Sequence, residues 1–354
     1  MKTSSKAIDI TGVDLFCGVG GLSHGLLQGG IHIAAGVDLD KTCKYPYEAN
    51  NRAKFIEKDV RQLQSSDIEN YFREGTLRLL AGCAPCQPFS TYSQKSRRIQ
   101  RDGKWDLLLE FGRLVEEVQP ELITMENVPQ LSEQNVFKSF LDSLTGYHIW
   151  YGIVDCVRYG IPQTRKRLVL LASKFGPLSI IAPSCDMQNF LTVRKAISYL
   201  PKIAAGESDP ADPLHTACSL NARNLQRIQA SKPGGTWRDW PVDLRAACHQ
   251  KHSGTTYPSV YGRMEWDAPA PTITTQCFGF GNGRFGHPEQ DRAISLREAA
   301  IIQSFPKDYK FIKPGDTAKF KVLGRLIGNA VPVRIGKIVA DSLMFHIAKL
   351  HIEK

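Results

Sequence analysis

Two reactive side chains sit at the ends of two short apolar runs. Cys86 lies in Gly82-Cys83-Ala84-Pro85-Cys86-Gln87-Pro88-Phe89-Ser90, after the run 77–81, and Glu126 follows the run 122–125 and precedes Asn127-Val128. A nucleophilic thiol beside a carboxyl group able to carry a proton suits covalent catalysis on an electron-poor ring. The plainer alternatives are a buried core cysteine, a Cys83/Cys86 redox pair, and half of a zinc site. A zinc site would need a second Cys-x-x-Cys. None is present, and His346 and His351, though spaced like finger ligands, lie far down the chain. On spacing alone the redox reading stays open.

For the two groups to meet, the elements that carry them must end side by side. Both runs read as buried strands, and an open α/β sheet collects chemistry at the carboxyl ends of its strands. The N-terminal part reads as the start of such a sheet. Residues 8–15 are strand-like and run into Phe16-Cys17-Gly18-Val19-Gly20-Gly21-Leu22-Ser23. A helix is expected over 22–27, stopping at Gly29-Gly30, and a second strand over 31–37, ending at Asp38-Leu39-Asp40. Glycines let a ligand approach the backbone, and an acid ending the second strand can take a ribose diol. A tight structural turn is the plainer reading, and the spacing does not separate a dinucleotide from S-adenosylmethionine.

Farther on, Tyr159-Gly160-Ile161-Pro162-Gln163-Thr164-Arg165-Lys166-Arg167 precedes the apolar run 168–172. Consecutive cations are ordinarily a solvated surface, but at the mouth of a strand at least one can face a cleft. From about Phe175 helical periodicity fades. The stretches 231–241 and 279–287 interleave Gly, Arg and aromatic residues, as loops that enter a nucleic-acid groove do. An irregular small domain accounts for them equally well. Ser295 is placed to cap a helix, with Glu298 completing a capping box.

At 354 residues the chain can hold one large domain and a smaller one. Its net charge of +10 suggests a polyanionic partner without requiring one. Nine cysteines, with neither a signal peptide nor a long apolar run, lead us to expect a reducing cytoplasm and no membrane partner.

Taken together, these motifs resemble the cytosine-5 DNA methyltransferases of prokaryotic type, in the family's order and over nearly the whole chain. Pro85-Cys86 and Glu126-Asn127-Val128 look like the family's nucleophile and the group that holds the cytosine ring. The resemblance implies that Phe16, Gly18, Gly20 and Gly21 hold the methionine moiety of S-adenosylmethionine. It implies that Asp38 takes the ribose with Leu39 beside the adenine, and that Asp59, next to Val60, takes the adenine amino group. Pro85, Asn329 and Val331 complete the cofactor site by the same argument. Arg165 is implied beside the cytosine, with Arg167 supporting it, and Gln87 and Ser90 on the DNA. Arg238 and Arg284 are our candidates for reading bases.

The expected fold is α/β, a doubly wound, mostly parallel sheet, Rossmann-like. A large domain is expected from 1–185 and 322–354, with a small one over 186–321 that contains a recognition region at about 176–290. The expected activity is that of a DNA (cytosine-5-)-methyltransferase. It transfers a methyl group from S-adenosylmethionine to double-stranded DNA through base flipping and a Cys86 adduct, and it releases S-adenosylhomocysteine without a metal. We expect a monomer, cytoplasmic and nucleoid-associated, beside a separate restriction endonuclease or wider defence system. A tRNA cytosine-5 methylase sharing these motifs is the nearer rival, and the redox protein is the remote one.

Overall fold

The computed structural model describes residues 9–85, 106–185, 189–251, 254 and 256–352. They divide into two units, one made of 1–155, 166–183 and 331–354, the other of 156–165 and 184–330.

In the first unit strands and helices alternate: β1 (Ile10–Leu15), α1 (Gly21–Gln28), β2 (His32–Asp38), α2 (Lys44–Asn51), β3 (Lys54–Glu57), α3 (Ser65–Glu69), β4 (Leu77–Gly82), α4 (Asp106–Val118), β5 (Leu122–Asn127), α5 (Asn135–Asp142), β6 (His148–Asp155) and β7 (Lys166–Ser173). The strands form one seven-stranded sheet in the order β3-β2-β1-β4-β5-β7-β6. β1 to β5 pair in parallel, and β7 runs antiparallel to both its neighbours. This is the doubly wound, mostly parallel sheet expected. β1 and β5 are buried along their whole length, as a strand covered on both faces must be. Leu108, Phe111, Val115 and Val118 of α4 recur at helical spacing and are buried. Phe111 meets Phe140 of α5 with ring centroids 5.3 Å apart.

The second unit has little regular structure. It contains α6 (Val193–Ile197), the short pair β8 (Ser208–Asp209) and β9 (Asp212–Thr216), α7 (Ala222–Ala230), α8 (Leu296–Ile302) and α9 (Phe320–Asn329). Ile228, Trp237, Trp240, Leu244, Phe280 and Ala293 form its core. With few backbone ladders available, buried arginines tie up carbonyls instead. Arg263 donates to the carbonyls of Ile228, His287 and Gln290 at 2.7–3.1 Å. Arg292 grips Glu298 with two bonds of 2.7 Å. Burial pushes the Glu298 carboxyl up, but Arg292 outweighs it and holds the group down at about 2. Ser295 caps α8 in a capping box with Glu298, as the spacing predicts.

The sequence reading puts 156–165 and α9 in the larger domain. Their contacts put them in the second unit. Gln163 Nε2 donates to Ile302 O at 2.9 Å, and Gln303 Nε2 donates to Ile327 O at 2.8 Å.

The chain then returns to the first unit as α10 (Val333–Ile352), which packs on α1. The two backbones nearly touch: a Cβ on Gly25 would lie 2.0 Å from Val333 O, and one on Gly336 would lie 2.5 Å from Leu22 O. Only glycine fits either place.

Candidate active site

Strand register sets four of the expected residues level at the carboxyl ends of their strands. Leu15 of β1 pairs with Val37 of β2 and Gly82 of β4, and Gly82 pairs with Met125 of β5. Phe16, Asp38, Cys83 and Glu126 therefore each stand one residue beyond the same line.

Glu126 is 4% exposed. Its Oε1 lies 2.7 Å from Arg167 Nε, an ion pair in which no N–H points well enough at the oxygen to make a hydrogen bond. Its Oε2 accepts a hydrogen bond from the Cys83 thiol at 2.8 Å. A buried carboxylate needs such company, because removing a bare charge from water is costly. Next door, Asn127 Nδ2 donates to Ala84 O at 3.0 Å and ties the end of β5 to the cysteine-bearing turn. Cys86, Gln87 and Ser90 lie outside the described residues, and Pro85 is exposed.

The guanidinium on Glu126 belongs to Arg167, whereas the family resemblance puts Arg165 next to the reacting groups and Arg167 behind it. Arg165 is buried and donates to Ile273 O at 2.8 Å and Gly328 O at 3.2 Å.

The glycine turn is a run of left-handed residues: Phe16 (φ +57°), Gly18 (φ +52°) and Gly20 (φ +88°). A non-glycine residue in this region is strained, and such strain concentrates at functional sites. Asp38 braces the turn. Its Oδ2 accepts from Gly18 N at 2.9 Å, and its Oδ1 accepts from Asp40 N at 2.8 Å. No atom among the described residues lies within 4 Å of where a Cβ on Gly18 would be, so a ligand can lie against the backbone there. Gly21 opens α1. Leu39 is 65% exposed, and Val60 is packed in the core. Arg61 holds Asp59 in a two-pronged ion pair and lowers its pKa. Asn329 is exposed and Val331 buried.

Beneath the turn lies a fully buried acid. Asp14 Oδ2 accepts from Ser23 Oγ at 2.6 Å, and Ser23 Oγ lies 3.0 Å from Tyr47 OH. Among the described residues Asp14 Oδ1 has no hydrogen-bond partner. Burial pushes this carboxyl up to about 7.

Of the base-reading candidates, Arg238 is exposed, its guanidinium 5.5 Å from the Trp237 ring centroid. Arg284 instead donates to Gly235 O at 2.7 Å and Arg263 O at 3.3 Å, which makes it a brace inside the unit. Among the described residues there is no group of three or more His, Cys, Asp or Glu side chains placed to hold a metal. No described helix is long and apolar enough to cross a membrane.

Sequence reasoning assigned no part to Asn127 and weighed Cys83 only as half of a redox pair or part of a zinc site. Their contacts depend on β4–β5 register, which leaves no mark in residue spacing.

Comparison with known proteins fits this arrangement. The Type II methylase M.HgiDII of Herpetosiphon aurantiacus is 52% identical over 96% of each chain. The Type II methyltransferase M1.HphI of Haemophilus parahaemolyticus is 29% identical over 95% of this chain and 87% of its own. A solved structure of a protein encoded within an E. coli prophage shares the fold, with a TM-score of 0.73, 22% identity, and coverage of 96% of this chain and 100% of that one. The profile of C-5 cytosine-specific DNA methylases matches residues 10–344. With the profile match spanning both units and the Glu126 and glycine-turn motifs level at the carboxyl ends of their strands, the chain belongs to the C-5 cytosine-specific DNA methylase family.

Proposed function

We propose that this chain transfers the methyl group of S-adenosylmethionine to C5 of a cytosine in a specific duplex DNA sequence. The observation that carries this reading is Glu126, buried at the end of β5, paired with Arg167, and level with the turn that leads to Pro85-Cys86. When bound, the cofactor supplies an electrophilic methyl group. The open backbone at Gly18 and the acid at Asp38 suit its methionine and ribose parts. Each Asp38 oxygen accepts one backbone N–H, and a carboxylate oxygen is an acceptor suited to a ribose hydroxyl. Asp59 takes the adenine amino group. Phe16, Leu39 and Val60 supply apolar walls, and Gly20, Gly21, Pro85 and Val331 close the site.

A base inside a duplex is out of reach, so the cytosine must leave the stack at a cost of about a few kcal/mol. The Cys86 thiolate then attacks C6, while Glu126 holds N3 and the exocyclic amine. Arg167 keeps Glu126 in place. Arg165 braces the segment that leads into β7. Once C5 carries the methyl group, its proton is lost to water and the Cys86–C6 bond breaks. The Type II names of the relatives support a role beside a separate restriction endonuclease or related defence system. The recognition region over about 176–290 selects the site, and the enzyme works as a monomer in the nucleoid-bearing cytoplasm.

Duplex DNA carrying 5-fluorocytosine tests the chemistry, because fluorine at C5 cannot leave as a proton does. The wild type should form a covalent complex, and Cys86→Ala should form none. An adduct that persists in Cys86→Ala and disappears in Cys83→Ala would overturn the assignment. Bisulfite sequencing of DNA from an expressing host gives the target site. Methylation confined to transfer RNA would favour the rival substrate.

A further inference from the structure

We infer that the Cys83 thiol is a positioning residue, one that fixes the plane of the Glu126 carboxylate for the incoming base. The inference rests on Glu126 being the group that holds the cytosine ring. Three features support it. The first is the contact itself: the thiol donates to Oε2 at 2.8 Å, on the oxygen that Arg167 does not take. The carboxylate is thus gripped from β7 at one oxygen and from the end of β4 at the other.

The second is that both ends of the contact are anchored. Cys83 N donates to Leu15 O at 3.2 Å, and Ala84 O accepts from Asn127 Nδ2 at 3.0 Å. Glu126 itself pairs with Val169 in the β5–β7 ladder. Thiol and carboxylate are therefore held by four adjoining strands, β1, β4, β5 and β7, and the contact does not depend on a mobile side chain finding its partner.

The third is the chemistry of the donor. A carboxylate oxygen has two lone-pair sites, and a thiol is a weak donor. Cys83 therefore orients Oε2 and leaves it able to accept an N–H from the base edge. The same contact gives the buried carboxylate a partner before any base arrives, at the oxygen where the base must later bind.

The test compares Cys83→Ala and Cys83→Ser with the wild type in three measurements: cofactor affinity by calorimetry, kcat and KM for duplex methylation, and the rate of covalent trapping on 5-fluorocytosine DNA. Loss of one hydrogen bond to a charged group predicts that Cys83→Ala lowers kcat and the trapping rate about tenfold, with KM and cofactor affinity unchanged within about twofold. Cys83→Ser, which keeps a donor, should recover most of the loss. Infrared difference spectra between wild type and Cys83→Ala should contain a hydrogen-bonded S–H stretch, which moves toward the unbonded position in Glu126→Gln. The inference is overturned if Cys83→Ala traps at the wild-type rate. It is also overturned if Cys83→Ala and Cys83→Ser lose cofactor affinity or stability together, or if the S–H band does not respond to Glu126→Gln. A wild type that never traps DNA defeats the reading of the site itself, which separates the two failures.

Discussion

The carboxylate of Asp38 accepts the backbone N–H of Gly18, so the acid that ends β2 also holds the glycine turn that follows β1. An acid in that position serves the turn's conformation as well as any ligand. Asp38→Ala should therefore weaken cofactor binding twice over, by loss of a partner and by loss of the turn's brace. The expected loss in calorimetry is roughly tenfold to a hundredfold. An affinity equal to wild type would remove Asp38 from the site.

Arg165 and Arg167 should fail in different ways. Arg167→Ala strips Glu126 of its cation, and the trapping rate on 5-fluorocytosine DNA should fall at least tenfold. Arg167→Lys, which keeps the charge on a differently shaped side chain, should restore part of it. Arg165→Ala leaves the carbonyls of Ile273 and Gly328 without that donor, and denaturant unfolding should show a loss of about 2–3 kcal/mol.

A similar contrast separates Arg284 from Arg238. Arg284→Ala should lower stability by about 1–3 kcal/mol through the carbonyls it leaves unpaired. Arg238→Ala should leave the unfolding midpoint within about 0.5 kcal/mol of wild type, as exposed substitutions usually do. Its effect should appear in the methylation pattern across a genome, as relaxed choice at one base pair.

Asp14 sets a pH dependence of stability with a definite sign. Its pKa rises on folding from the usual 3.8 to about 7, chiefly through burial. Below about pH 4 the group is protonated folded or unfolded and has no effect on the balance. Between about 4 and 7 the folded chain keeps a proton that the unfolded chain has given up, so stability falls as pH rises and levels off above 7. Asp14→Asn should flatten that slope in denaturant titrations from pH 5 to 8. An unchanged slope would show that Asp14 is ionised in the fold.

The sequence made the frame of the first unit legible, because each element there announces itself locally. The runs 77–81 and 122–125 became β4 and β5, and the expected helix over 22–27 became α1, bounded by the glycines that punctuate it. The ion pair of Arg167 with Glu126 was hidden. Alternate residues share a face only while the chain stays a strand, and β7 begins at Lys166, between the two arginines. The hydrogen bond from Cys83 to Glu126 was hidden for another reason. It joins residues 43 positions apart that meet only through β4–β5 pairing.

The near-contact of α1 with α10 has a consequence for how the chain folds. α1 is among the first helices to be synthesised, yet the helix that covers it is made only after the whole of the second unit. Until then α1 lacks the packing of α10. Pairings between such distant segments form slowly, and exposed apolar surface in the interval invites aggregation. Yield of soluble protein should therefore depend on how fast the last helix reaches the first, and chaperones that shield a nascent helix should raise it.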